Sequence, residues 1–323
     1  MATLTGTRAT IFMLHRFSMP DLAVSGDQPA ALRRNLAQLR KQHYHLISLQ
    51  DLFRKLLDRE PLERAVAFTI DDGYCDHGQI AAPIFAEFDC PVTTFLVTSF
   101  AEGTSWFWFD KLAYIFEETK RPNLDARLGN AAISYAIDSK QVRASACLDL
   151  NLRCQDASEA DRLSCVLDLS REAEVELPEA PPARFAPLSW EDARTLEKGG
   201  MTFGPHTVTH PVLSTTTREQ AEFEISESWR RLSCEVLKPV PIFCYPNGRS
   251  RDYGEREISC IRRLGLWGAV EGQPGKLNPA TLHASENSRY QVPRSGYLDS
   301  LPHLLQSVSG VETVKARIRG ALH

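Results

Sequence analysis

Two adjacent aspartates, Asp71 and Asp72, end an apolar run, AVAFTI (65–70), and Gly73 follows them. One interpretation is a simple turn, because Asp and Gly both tolerate the backbone angles that turns require. A chemical interpretation is also open, in which one carboxylate ligates a cation while its neighbour stays free as a base. Because adjacent carboxylates repel each other unless a cation is near, this second interpretation requires further metal ligands elsewhere in the chain.

His206 and His210, four positions apart in PHTVTHP (205–211), could supply those ligands. On one turn of a helix, residues i and i+4 lie on the same face, so both imidazoles could reach one ion. Two histidines that cap or pack at the start of a helix would explain the spacing equally simply. Two histidine nitrogens with one carboxylate form a known ligand set for a catalytic ion that keeps positions open for water. Taken together, the histidine and aspartate pairs predict a metal centre.

Repeated βα units are expected to position these groups, because short apolar runs alternate with amphipathic stretches. The predicted strands are 8–14, 45–49, 65–70, 91–97, 201–204, 240–246 and 266–270, and the predicted helices are 29–44, 49–59, 78–89, 190–198, 217–237 and 253–265. Six to eight such units predict a parallel barrel or a doubly wound sheet, and both place their chemistry at the carboxyl ends of the strands. Those ends carry His15, the aspartate pair, the histidine pair, residues 245–247 and Arg294.

The βα rhythm breaks between about residues 104 and 187. Two stretches, 105–119 and 158–176, have helical patterns, and AAISYAI (131–137) between them predicts a short strand. Because the rhythm resumes afterwards, we interpret residues 104–187 as a mainly helical insertion in a single domain that spans 1–323. Trp106 and Trp108 at its start could stack on the apolar face of a sugar, or they could form the core of the insertion.

Composition excludes several functional classes. The chain has 323 residues, 24% of them charged, and a formal net charge of −4, which is typical of a soluble globular protein. Lys and Arg form no patch interleaved with aromatic residues, so we expect no nucleic-acid partner. Apolar runs fall short of the roughly 20 residues that cross a bilayer, so we expect no transmembrane segment. Eight cysteines without a CxxC pair, and no export signal at the start, predict a cytoplasmic protein.

Three motifs together resemble a known family. FTIDDG (68–73), HTVTHP (206–211) and FCYPNG (243–248), in this order, resemble the polysaccharide deacetylases, the NodB-homology fold of carbohydrate esterase family 4. MLHRF (13–17) and the segment that leads into HTVTHP are similar to that family as well. The resemblance implies a distorted (β/α)7-type barrel. Ile70 stands where the family's first motif usually has Phe, which is a mild packing change.

The resemblance also implies roles for individual residues. Asp71 would be the catalytic base, and Asp72, His206 and His210 would ligate a divalent ion, with zinc the first choice and cobalt, nickel or manganese as alternatives. Water activated by the metal would attack an amide carbonyl, and the backbone N–H of Tyr245 would hold the resulting oxyanion.

Further site residues are expected at the other strand ends and at the start of the inserted region. The family's usual C-terminal acid histidine has no counterpart here, so the resemblance favours His15 as the acid, although a histidine with a structural hydrogen bond is the alternative. Arg294 could hold Asp71, replacing an arginine that the third motif lacks, or it could lie on the surface. Pro246, Asn247 and Arg294 are expected to contact substrate, together with Trp106 and Trp108.

These features predict a metal-dependent hydrolase that removes an N-acyl group, acetyl in the first instance, from an amino sugar or glycan. The substrate could be nucleotide-linked or lipid-linked, and the sequence does not determine the oligomeric state. Two alternatives remain. One is a deformylase or non-sugar amide hydrolase on the same fold, and the other is a non-catalytic carbohydrate-binding protein. The intact aspartate and histidine pairs argue against the latter, because a binding module needs no paired carboxylates.

Overall fold

The computed structural model describes residues 9–275, 277 and 285–309, and a parallel sheet forms its centre. The strands of this sheet, in chain order, are β1 (Ala9–Leu14), β2 (His45–Leu46), β3 (Ala65–Ile70), β4 (Val92–Leu96), β7 (Thr202–Pro205), β8 (Ile242–Cys244), β9 (Gly268–Pro274) and β10 (Val292–Gly296). A separate antiparallel pair is β5 (Asn123–Leu128) and β6 (Ala131–Ala136).

Helices follow most strands. They are α1 (Pro29–Lys41), α2 (Leu49–Leu57), α3 (Ala82–Glu87), α4 (Thr98–Ala101), α5 (Trp108–Glu118), α6 (Lys140–Gln155), α7 (Glu159–Glu172), α8 (Trp190–Lys198), α9 (Arg218–Glu235), α10 (Glu255–Arg263) and α11 (Leu301–Ser309). Helix α8 begins at a capping box, in which the Ser189 hydroxyl accepts the N–H of Asp192 and the Asp192 carboxylate accepts the N–H of Ser189. In the described part of the chain, no helix has both the length and the apolar character needed to cross a membrane.

The sheet curls into a nearly closed barrel of seven strands. Its order is β7-β4-β3-β1-β10-β9-β8, with β2 attached outside this path to β3, and neighbouring strands run parallel. The two ends of the order meet, because the backbone N–H of Val240, just before β8, donates to the carbonyl of Phe203 in β7 at 2.8 Å. The predicted (β/α)7-type barrel is therefore confirmed.

Alternation along β3 points the site residues inward. All six residues of this strand are buried, as expected for a strand covered on both faces. Val66, Phe68 and Ile70 pack against the helices outside the barrel, whereas Ala65 and Ala67 join a cluster that includes residues of β8 and β10. Asp71 follows in the inward series, and its N–H still donates to Leu14 of β1 at 3.0 Å.

The region between α4 and α8 contains more structure than the sequence predicted. It holds α5, the β5–β6 hairpin, α6 and α7, and residues of these elements share a hydrophobic cluster that includes Leu112, Leu124 and Leu150. The sequence analysis predicted a single strand here and missed both β5 and α6. Helix α6 has a weak apolar pattern, because only Ala146, Leu150 and Cys154 of its 16 residues are buried.

Candidate metal centre and active site

A strained turn at the end of β3 separates the two aspartates. Asp72 has a φ of +83° and Gly73 a φ of +92°, a region that side-chain-bearing residues rarely adopt. A side chain at position 73 would be strained at this φ, and its Cβ atom would lie 2.6 Å from Cδ2 of Leu96. The turn sends the Asp72 carboxylate toward the end of β7 while Asp71 continues into the barrel. Backbone strain of this kind is common at functional sites.

The Asp72 carboxylate meets both histidines of the predicted metal triad. Its Oδ1 atom lies 3.6 Å from Nε2 of His206 and 3.5 Å from Nε2 of His210. The three ligand atoms lie within 4.8 Å of one another, and all three residues are buried. Tetrahedral zinc with bonds of about 2.0–2.1 Å needs ligand atoms about 3.3–3.4 Å apart. These residues therefore suit a divalent ion in both donor type and spacing.

The two histidines lie on an irregular turn, not on the helical turn that the sequence analysis assumed. Thr207 has a φ of +68° and His210 a φ of +62°, which no helix allows. The N–H of His210 donates to the Thr207 hydroxyl at 3.0 Å, closing the turn. The i and i+4 imidazoles thus converge for a local reason that the spacing alone does not reveal.

Glu224 of α9 holds this turn from behind. Its buried carboxylate accepts the N–H of Val208 at 2.8 Å, the N–H of Thr209 at 2.9 Å and the Thr209 hydroxyl at 2.6 Å. Three hydrogen bonds to one carboxylate fix the backbone between the two histidines. Sequence analysis missed Glu224, because nothing in the pattern of α9 distinguishes it from the other glutamates of that helix.

The environment of each imidazole suits a metal ligand. Nδ1 of His206 lies 2.8 Å from the carbonyl of Cys244, so it donates its proton there and leaves Nε2 free to ligate. Burial lowers the pKa of His210 to about 4, which keeps that ring neutral. The rings of Phe107 and Phe109 pack 5.4 and 6.0 Å from it. Burial opposes the ionisation of Asp72, yet the two histidines hold the pKa of its carboxyl well below the usual range.

Arg294 is the partner of Asp71. Its Nη1 donates to Oδ1 at 2.7 Å and its Nη2 to Oδ2 at 2.6 Å, in a bidentate pair whose side chains are 1% and 4% exposed. Thr69 and the carbonyl of Glu271 accept its other N–H groups. Burial would raise the pKa of the Asp71 carboxyl, but the guanidinium holds it below the usual range. Arg294 therefore lies inside the barrel, where its almost fully buried side chain holds Asp71, and its predicted contact with substrate stays a prediction.

Cys244 adds a second group of potential ligands that the sequence analysis did not consider. Its Sγ lies 3.6 Å from Oδ2 of Asp71, and this thiol, Asp71 and His206 also lie within 4.8 Å of one another. However, Nη2 of Arg294 lies 3.2 Å from the same sulfur and repels a cation there. Arg294 also donates to both oxygens of Asp71. The triad of Asp72 and the two histidines is consequently the better metal site.

His15 lies at the mouth of the site. Its Nε2 is 3.9 Å from Oδ2 of Asp71, and its side chain is 48% exposed. The carbonyl of His15 lies 2.6 Å from the Nε2 atom of the buried His77. The two residues after His15 are held by the Asp76 carboxylate, which accepts the N–H of Phe17 at 2.6 Å and the Nε–H of Arg16 at 3.0 Å. The end of β1 thus holds an exposed imidazole beside the predicted base.

The segment after β8 differs from the prediction. The N–H of Tyr245 donates to the carbonyl of Val270 in β9 at 3.3 Å, and its ring stacks on Tyr253 with centroids 3.7 Å apart. This places the Tyr245 N–H in the sheet rather than in the site. Pro246 is buried and has no N–H. Asn247, with a φ of +56°, is half-buried, and its N–H has no acceptor among the described residues.

The two tryptophans lie in packed surroundings rather than on an open sugar-binding wall. Trp106 is 5% exposed and packs against Phe185 and Tyr114. Trp108 is half-buried against the cluster of the inserted region, with the Arg162 guanidinium 5.2 Å from its ring. The alternative that the sequence analysis left open, a core role, is the one that this packing favours.

Comparison with known proteins gives one family and several related structures. The model of the family described as polysaccharide deacetylase matches residues 58–266. The Streptococcus pyogenes deacetylase PplD in complex with acetate is 18% identical, with a TM-score of 0.61 over 94% of this chain and 99% of that chain. IcaB from Ammonifex degensii is 16% identical, with a TM-score of 0.57 over 94% of this chain and 97% of that chain. The BpsB deacetylase domain from Bordetella bronchiseptica is 15% identical, with a TM-score of 0.53 over 90% and 96%. At these identities the structures share the fold alone, and no curated protein sequence matches the chain.

Proposed function

The chain belongs to the polysaccharide deacetylase family, a family of hydrolases that act on carbon–nitrogen bonds, and we propose that it is a metal-dependent N-deacetylase of an amino sugar or glycan. Acetyl is the proposed acyl group, because the structures that share its fold include a deacetylase bound to acetate and a de-N-acetylase. Zinc is the proposed ion, with cobalt, nickel and manganese as alternatives.

The observation that carries this proposal is that two adjacent carboxylates have different partners. Asp72 faces two histidine Nε2 atoms at 3.5 and 3.6 Å, whereas Asp71 faces a guanidinium. A binding protein has no need for this arrangement, but a hydrolase needs a ligand and a base side by side. The chemistry that a divalent ion supplies at such a site is Lewis acidity toward water and an acyl carbonyl.

The residues of the chain supply the remaining steps. Asp71, kept ionised beside Arg294, is positioned to accept a proton from the attacking water. The N–H of Asn247, which has no acceptor in the described part of the chain, is the proposed donor to the oxyanion, in place of Tyr245, whose N–H is engaged in the sheet. His15, 3.9 Å from Asp71 and open to solvent, is the proposed acid that protonates the leaving amine.

The test measures acetate and free amine released from N-acetylated chito-oligosaccharides by the purified protein with added zinc. We expect the two products to appear in equal amounts, and we expect Asp71→Asn, which preserves size and shape, to abolish both. Formate release from N-formylated sugars without any acetate release would favour the deformylase alternative. Tight binding of the oligosaccharide without release of either acid would favour a binding protein.

A further inference from the structure

A cavity of about 430 Å³ lies at the end of the barrel that is opposite the proposed metal centre. It is lined by Leu57 at the end of α2, Arg262 in the last turn of α10 and Val292 at the start of β10. The proposed metal ligands instead follow the carboxyl ends of β3 and β7, which run parallel to the other strands of the barrel. The volume falls within the range of about 300–1,000 Å³ that is usual for ligand pockets. A ligand in this cavity would therefore be separate from the substrate of the metal centre.

The cavity contains positive charge without ion-pair partners. Three arginines line it, namely Arg59, Arg262 and Arg289. None of the three forms an ion pair with a carboxylate in the part of the chain that the structure describes. By contrast Arg263, next to Arg262 on α10, pairs with Glu222 at 2.8 Å. The three guanidinium groups are therefore available to an anion from outside the chain.

Two of these guanidinium groups lie at the same buried ring. The guanidinium carbons of Arg289 and Arg262 are 4.9 and 5.5 Å from the ring centroid of Tyr290. Nη2 of Arg289 donates to the Tyr290 hydroxyl at 2.8 Å, but its Nε is buried and has no hydrogen-bond partner among the described residues. Nη2 of Arg262 donates to the neutral amide oxygen of Asn287. Like charges close together and a buried donor without an acceptor both cost free energy, and a bound anion would reduce both costs.

The helix dipole does not account for this cluster. Arg59 and Arg262 lie near the C-terminal ends of α2 and α10, where basic residues offset the partial negative charge of the helix. Arg289 belongs to neither helix and precedes β10. Of the described residues that line the cavity, Glu286 alone is acidic, so three positive side chains and one negative side chain leave a net charge of +2. The two helix ends offset part of this charge, and the cavity still favours an anion.

We propose that this cavity binds an organic phosphate, in which a phosphate monoester is attached to an apolar group. A guanidinium matches the geometry of phosphate and of carboxylate. Phosphate is the proposed anion because it has more terminal oxygens than a carboxylate and so can accept from several guanidinium groups at once. The apolar group would pack on the side chains that form the remaining wall, which are Phe53, Leu56, Leu57 and Val292. This inference goes beyond the proposed function, and neither depends on the other.

The test measures the binding of phenyl phosphate to the full chain by titration calorimetry in a buffer free of phosphate. We expect one site per chain with a Kd below about 1 mM. Inorganic phosphate and benzoate should each bind at least about fivefold more weakly, because the first lacks the apolar group and the second lacks phosphate oxygens. Equal affinity for benzoate and phenyl phosphate would overturn the assignment of the anion.

Arginine variants test where the phosphate binds. Arg59→Gln, at an exposed position, and Arg289→Gln should each bind phenyl phosphate at least about tenfold more weakly. Arg263→Gln, at the next position to Arg262, is the matched control and should bind like the wild type. His206→Ala should also bind like the wild type, because the metal centre lies at the other end of the barrel. Binding that His206→Ala abolishes, or that neither glutamine variant weakens while circular dichroism shows both to be folded, would overturn the site.

A lipid headgroup and a soluble compound can both supply a phosphate monoester on an apolar group. Sedimentation with phosphatidylcholine vesicles, with and without phosphatidic acid, distinguishes the two sources. Sedimentation that requires phosphatidic acid and that Arg59→Gln reduces would support the site and identify a lipid as the source. Binding of phenyl phosphate without sedimentation would support the site and identify a soluble ligand. Absence of both would refute the proposal.

Discussion

Arg294→Met tests whether the arginine keeps Asp71 ionised inside the barrel. Arg294 and Asp71 are both almost fully buried, and two hydrogen bonds of 2.6–2.7 Å join them. Met approximates the length of the arginine stem but removes its charge. The variant therefore leaves the Asp71 carboxylate buried without a cation, apart from whatever ion the neighbouring triad holds.

The size of the effect follows from the burial of the pair. Removing one partner of a buried ion pair costs about 3–5 kcal/mol of the free energy of unfolding. An opposite charge at this distance depresses a carboxyl pKa by about 1–3 units, so the pKa of Asp71 should rise by a similar amount in the variant. Because the wild-type pKa is depressed, the pair stabilises the fold above the ordinary carboxyl pKa. That stabilisation is lost as pH falls through the pKa of the folded state.

A double-mutant cycle isolates the pair from other effects. The free energy of unfolding is measured in chelator for the wild type, Arg294→Met, Asp71→Asn and the double variant. Each single variant leaves the other member of the pair buried without its charged partner. The double variant removes both charges. We expect a coupling of at least about 2 kcal/mol. In parallel, the acidic limb of kcat/KM should move to higher pH in Arg294→Met and stay close to wild type in Arg294→Lys.

Additive effects within about 0.5 kcal/mol would show that the two side chains do not stabilise each other. An unchanged acidic limb in a folded Arg294→Met protein would mean that Arg294 does not control the ionisation of Asp71. Either result would refute the positioning role assigned to this arginine.

Three further predictions follow from the same site. Asp71→Asn should retain the metal and lose acetate release, whereas His206→Ala should lose both. Elemental analysis and an acetate assay measure the two properties. Wild-type activity in Asp71→Asn would show that Asp71 is not the base. His15→Ala should slow amide cleavage by about 10²-fold or more but cleavage of an activated ester far less, and equal losses would remove it as the acid. Burial raises the pKa of Asp110 to about 7. The free energy of unfolding of the wild type should therefore fall by up to about 4 kcal/mol relative to that of Asp110→Asn as pH rises from about 4 to 7. Denaturation curves that show a pH-independent difference between the two proteins would contradict this.

Most of the site could be predicted because these folds place their chemistry at the carboxyl ends of parallel strands. The aspartate pair and the histidine pair follow β3 and β7, whose apolar runs are evident in the sequence. Parallel strands bring their carboxyl ends to one edge of the barrel, so residues more than 130 positions apart were expected to meet. The local turns that orient Asp72 and His210 could not be predicted, because no residue pattern around either position specifies a left-handed backbone angle for a residue with a side chain.

Features that depend on register between distant strands were harder to predict. Arg294 reaches Asp71 because β1 pairs with both β3 and β10, and no local pattern reveals that alignment. The Tyr245 prediction differed from the structure for the same reason. Whether its N–H is free depends on how β8 lies against β9, where Cys244 faces Val270. In the inserted region, β5 and α6 were not predicted because their apolar positions are few and separated by polar residues.

Titration of chelated protein with zinc tests the central claim most directly. Acetate release from tri-N-acetylchitotriose is measured as the ratio of zinc to protein increases. The site of Asp72, His206 and His210 predicts no release before zinc is added, and a linear rise that saturates at one ion per chain. Acetate release that persists at full rate in the chelated protein would contradict a metal-dependent deacetylase.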